Sequence, residues 1–218
     1  MERVKLGRVF SAKAHLQESE RRNFINESNY VAHLGGHTPF ARKMEQYTDL
    51  LDNMVWIADG AKWIWNWVNS SYPDCVQILD YFHCSEKLHG FAKEAFKDHQ
   101  AKQKWLDQQQ TLLLESQISQ VMNNIEQTTC KGKARQLQRS LMTYYGNNSS
   151  RMDYKSYLEK GLLIGSGPME AAHCHVVQCR LKLSGQRWTI RGAQQVVDLK
   201  VAQKNNQWKK VLKLINLN

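Results

Sequence analysis

The chain has 218 residues, enough for one substantial core or a core with an inserted subdomain, and its 42% hydrophobic and 23% charged residues are ordinary for a globular protein. No run of about 18 apolar residues occurs, which excludes a membrane-spanning helix. The net charge of +10 is unevenly placed: residues 151–218 hold twelve Lys/Arg against four Asp/Glu, whereas residues 1–60 hold eight of each.

The opening residues, Met1 to Gly7, lack the apolar stretch of a secretory leader, so the expected location is the cytoplasm. The five cysteines (Cys75, Cys84, Cys130, Cys174 and Cys179) are odd in number and irregular in spacing, which reads as reduced thiols. From Arg180 onward nine basic residues face one acid, Asp198, with Trp188 and Trp208 among them. A phosphate backbone selects such a segment, because each neutralised phosphate releases counterions. A solubilising surface is the plainer alternative.

In chain order, Val4, Leu6 and Phe10 alternate with Lys5, Gly7 and Val9, a first strand whose apolar face Arg8 interrupts. Tyr30, Ala32 and Leu34 mark a second strand closed by Gly35-Gly36. A helix is expected from Thr38, as N-cap with Pro39 in the first position, to about Leu51. Met54–Ala58 is an apolar run with the look of a strand buried on both faces, ending at Asp59-Gly60. A Trp-rich helix from Ala61 to about Val68 and another buried strand, Cys75–Leu79, follow, the latter ending at Asp80. From Tyr81 to about Tyr145 there is no proline and no strand signal, and the spacing predicts at least three helices. Gly146–Ser150 reads as a loop, and Gly165-Ser166-Gly167-Pro168 opens a last helical region.

Three acids occupy positions where chemistry is plausible. Asp59 ends a strand, and Gly60 beside it permits close approach of backbone or ligand, although Asp-Gly is also a common turn. Asp80 ends the next strand and is equally well placed to cap the following helix, with His83 three residues on. Glu170 lies in a first helical turn, where the helix dipole favours an acid in any case; His173 and Cys174 follow on the same face. The cluster His173-Cys174-His175 with Cys179 lacks the Cys-x-x-Cys pairing of strong zinc sites.

Three blocks resemble the DDE transposases of Kra-type bacterial insertion sequences, relatives of the Mutator-like enzymes. They are Val4-Lys5-Leu6-Gly7-Arg8-Val9-Phe10, then Ile57-Ala58-Asp59-Gly60-Ala61-Lys62-Trp63 running on to Asp80-Tyr81-Phe82-His83, and Gly165-Ser166-Gly167-Pro168-Met169-Glu170 running on to Arg187-Trp188. The resemblance implies an α/β fold, an RNase H-like core interrupted by an all-helical insertion. The implied divisions are core strands and helices over 1–83, the insertion over 84–150, and a C-terminal helix with basic tail over 151–218. Asp59 and Glu170 match the second and third catalytic carboxylates, which with Asp80 are expected to converge at one sheet edge. Asp80, His83 and His173 match supporting positions.

The implied activity is cleavage and strand transfer at insertion-sequence ends, with Mg2+ or Mn2+ in a two-ion site ligated by Asp59 and Glu170. The implied partner is double-stranded DNA, contacted by Arg180, Lys182, Arg187, Trp188 and Arg191, with a homodimer on DNA left open and no membrane. The location would be cytoplasmic and nucleoid-associated. The first catalytic Asp of the family, on a strand just before the Lys-Leu-Gly segment, has no counterpart here, so a catalytically inactive DNA-binding remnant is the alternative reading.

Overall fold

A computed structural model of the chain describes residues 3–11, 15–19, 22–25 and 27–215, with backbone alone for 15–19 and 22–24. The architecture is mixed α/β and predominantly helical. Among the described residues six strands form three two-stranded sheets: β1 (Val4–Val9) antiparallel to β4 (Asn29–Leu34), β2 (His15–Ser19) antiparallel to β3 (Arg22–Ile25), and β5 (Val55–Ala58) parallel to β6 (Val76–Leu79). The chain divides into two compact units, residues 1–52 with 167–218 and residues 53–166. Ile78 and Leu79 of β6 explain the grouping, because they pack in one core with Leu88, Tyr145 and Tyr154 of the helical block.

In the first unit, Val4 and Leu6 of β1 and Tyr30 and Ala32 of β4 pack against Val176, Val177 and Val197, which covers one face of the pair. The other face meets α1 (His37–Thr48) at Gly7, where a Cβ would stand 2.5 Å from Met44 Sδ. A helix can lie this close only over a residue with no side chain. Gly36, not Thr38, is the N-cap of α1, and Pro39 sits within its first turn, where a missing N–H leaves no helical bond unmade.

The outer edge of β4 is closed by side chains. Tyr30 N–H donates to Asn205 Oδ1 (2.7 Å), and Asn205 Nδ2 donates back to the Tyr30 carbonyl (2.9 Å). Leu34 N–H donates to Gln194 Oε1 (2.7 Å), and Lys43 Nζ donates to the Ala32 carbonyl (3.3 Å). Asn205 and Gln194 come from the end and the first turns of α10 (Ile190–Lys204), so one helix supplies what a further strand would. A last helix, α11 (Trp208–Ile215), follows.

In the second unit, α2 (Lys62–Ser71) connects β5 to β6 as a parallel crossover in register from Val55↔Val76 to Ala58↔Leu79. The two strands are not buried throughout. Val55 and Val76 are 38% and 40% exposed, whereas Ile78 and Leu79 are fully enclosed, so burial increases toward the carboxyl ends. The helical block comprises α3 (Tyr81–Ala95), α4 (His99–Leu114), α5 (Ile118–Gln127), α6 (Gly132–Asn148), a 3-10 turn at Ser149–Arg151 and α7 (Tyr154–Glu159). The expected loop at Gly146–Ser150 is instead the end of α6 and that turn. Burial of Tyr145 and Asn148 on either side of Gly146 and Asn147 overrides their weak helix propensity. No helix among the described residues is long and apolar enough to cross a membrane.

Candidate functional site

The parallel crossover places the carboxyl ends of β5 and β6 side by side, so Asp59 and Asp80 emerge from neighbouring strands. That edge is where α/β sheets gather ligands. The two acids have opposite surroundings. Asp59 is exposed, and its one hydrogen bond among the described residues is accepted from Ala61 N–H (2.9 Å), a local turn that leaves most of its acceptor capacity unused. Gly60 is pressed by Tyr144 of α6: a Cβ there would meet the ring at 2.1 Å. The close approach that Gly60 permits is therefore made by an aromatic ring. Burial pushes the Tyr144 hydroxyl well above its usual range, and Cys84 and Asp59 nearby push the same way.

Asp80 is buried and fully engaged. It caps α3, accepting from Phe82 N–H (2.9 Å) and His83 N–H (3.3 Å), and its other oxygen accepts from Ser166 Oγ. Tyr81 N–H donates to the Ile164 carbonyl (2.9 Å), and Gly165 lies against the Phe82 ring, 2.4 Å from where its Cβ would be. Asp80 thus fixes the start of α3 and the Gly165-Ser166 segment together. The His83 ring turns to Glu86 (3.4 Å), while its backbone, not its imidazole, serves Asp80.

Glu170 belongs to the other unit. It is exposed in α8 (Gly167–Ala172), which continues through a π-helix (His173–Gln178) into α9 (Cys179–Leu181). Arg8 secures the start of α8: its Nη1 donates to the Pro168 carbonyl (3.1 Å) and its Nε to Ser28 Oγ (2.8 Å). The residue that breaks the apolar alternation of β1 thus holds the helix bearing Glu170. π-turns are frequent at functional positions, and this one brings His173 Nδ1 within 3.0 Å of Gln178 Nε2, five residues on. Burial lowers the His173 pKa, and the positive charge of Lys182 adds to the effect. Among the described residues, no group of three or more His, Cys, Asp or Glu is placed to hold a metal ion.

Arg180, Lys182, Arg187, Trp188 and Arg191 are all exposed along the connection from α9 into α10. The connection turns at Gly185, whose φ of 75° is left-handed, and ends where Thr189 caps α10 by accepting from Gly192 N–H (3.0 Å). None of its cations forms an ion pair among the described residues. A second basic feature was not singled out from the sequence: a polar cleft in the residue 53–166 unit, lined by α2, α6 and Arg151. Its signal is polar spacing of three and four on both helices, which a search for apolar periodicity passes over. The chain matches no family model, no curated protein and no solved structure.

Proposed function

We propose that the chain is a DDE-type transposase of the Kra-type insertion-sequence group, with an RNase H-like core, that cleaves and joins double-stranded DNA at element ends. The observation that carries this reading is the exposed Asp59 carboxylate at the carboxyl end of a parallel strand pair, followed by a helical block and then by the glycine-flanked helix of Glu170. Magnesium is commonly held by one or two carboxylates together with substrate phosphates. Asp59 and Glu170 are the carboxylates assigned to it, and when bound it would stabilise charge on phosphodiester oxygens. With no three-ligand group among the described residues, metal affinity in the absence of DNA is expected to be weak. The exposed cations from Arg180 to Arg191 are assigned to the phosphate backbone.

A catalytically inactive DNA-binding remnant is the second reading, favoured by the structural commitment of Asp80, which caps α3 and accepts from Ser166. The test is a cleavage and joining assay on inverted-repeat DNA with Mg2+ or Mn2+, run with the chain as it stands and with an Asp-bearing strand fused ahead of Val4. Joining by either protein, lost on Asp59→Ala or Glu170→Ala, is the expected result. DNA binding without joining in either protein selects the remnant. Joining that survives both substitutions would overturn the assignment of the two acids.

A further inference from the structure

We propose that the cleft lined by α2 and α6 binds a nucleotide through its phosphate. The cleft measures about 620 Å³, within the roughly 300–1,000 Å³ typical of small-ligand sites. α2 supplies Lys62 and Asn66 and α6 supplies Arg139, Thr143 and Asn147, each set spaced four residues apart so that it lies on one helix face. Arg151 adds a third cation from the turn that follows α6.

The charge balance selects the ligand. No carboxylate lines the cleft, and Lys62, Arg139 and Arg151 are in none of the ion pairs among the described residues. Residues 53–166 carry thirteen Lys/Arg against eleven Asp/Glu, so three cations without acids at one place are a local concentration and not general basicity. Arg151 is also held in position. Its Nε donates to Gln77 Oε1 (2.7 Å), its Nη1 donates to the Asn147 carbonyl (3.4 Å), and its guanidinium lies 4.6 Å from the centre of the Trp65 ring. Three of its five N–H donors remain for a ligand, in the fork geometry that suits a phosphate.

A carboxylate ligand would bring one charge and leave two cations unmatched, whereas a phosphate monoester brings nearly two. The volume exceeds that of free phosphate and accommodates the attached sugar and base, with Asn66, Thr143 and Asn147 as polar partners for them. The inference uses neither Asp59 nor Glu170, so it holds apart from the transposase reading.

The test is an NMR and calorimetric titration of the full chain with deoxyadenosine monophosphate, deoxyadenosine and a short single-stranded oligodeoxynucleotide. We expect the monophosphate to shift the amides of Gly60, Asn66, Thr143 and Asn147. The exposed pair Lys62→Gln with Arg139→Gln should weaken it roughly tenfold or more, about the worth of one charged hydrogen bond. Lys102→Gln with Lys104→Gln on α4 should leave the affinity unchanged. Shifts and losses of the same kind with the oligonucleotide alone place the nucleotide within a strand. Deoxyadenosine binding as well as the monophosphate overturns the phosphate assignment. So does binding indifferent to Lys62 and Arg139, or shifts confined to residues 180–213.

Discussion

Gly60 and Gly165 each have an aromatic ring pressed against them, but the rings differ in freedom. Tyr144 over Gly60 is half-buried, and its hydroxyl is enclosed. Phe82 over Gly165 is 60% exposed and can swing outward. Gly60→Ala should therefore cost about 2 kcal/mol, in the range of core overpacking, and Gly165→Ala less than about 1 kcal/mol. Urea unfolding of the two variants checks the order, and a larger loss at Gly165 would mean that Phe82 is held in place. The sequence permits a close approach at Asp59-Gly60 without requiring one, since Asp-Gly is also a common turn. It does not show the partner, because Tyr144 lies in another helix and nothing local links the two. Asp80 was legible differently: strand end followed by helix start admits both a cap and a catalytic acid, and only its enclosure by Phe82, His83 and Ser166 selects the cap.

The edge of β4 is stabilised by side chains of α10, and Asn205 makes the greatest contribution there, with a reciprocal pair of hydrogen bonds to Tyr30. Asn205→Ala should cost about 2 kcal/mol, mainly from the two bonds to Tyr30 at roughly 1 kcal/mol each beside a longer one to Tyr47, whereas Gln194→Ala removes one bond to Leu34 and an exposed one to Asp198 and should cost about half that. Faster amide exchange at Tyr30 in the first variant and at Leu34 in the second is the expected signature; unchanged exchange at both would show the edge to be held by other means. β1 and β4 are legible from alternation, β5 and β6 from short apolar runs, and α1 and α2 from the residues that start or break them, because each is a short element with its own punctuation. The β2–β3 hairpin is not, since His15–Ser19 and Arg22–Ile25 show no run of alternating apolar residues. The π-helix is equally silent, because burial of the adjacent pair Val176 and Val177 suits an α-helix as well.

Across the whole molecule the positive charge is concentrated in residues 167–218, which hold nine Lys/Arg against two Asp/Glu, while residues 53–166 are almost balanced. Salt-sensitive binding to duplex DNA should therefore depend on the exposed connection from α9 into α10. Replacing Arg180, Lys182, Arg187 and Arg191 together by Gln removes four charges without touching a buried side chain or an ion pair among the described residues. Each lost phosphate contact lowers the slope of log K against log salt by about 0.9, so two to four contacts flatten it by roughly 2–4. The affinity at moderate salt should fall by more than about tenfold, measured by fluorescence anisotropy over a salt series. Asp59→Ala and Glu170→Ala should not lower the affinity, because exposed acids repel the backbone rather than bind it when no metal is added. A quadruple variant with unaltered affinity and slope would reduce the segment to a solvated surface. A slope that falls only when Lys62 and Arg139 are replaced would move the backbone contact to the cleft between those residues.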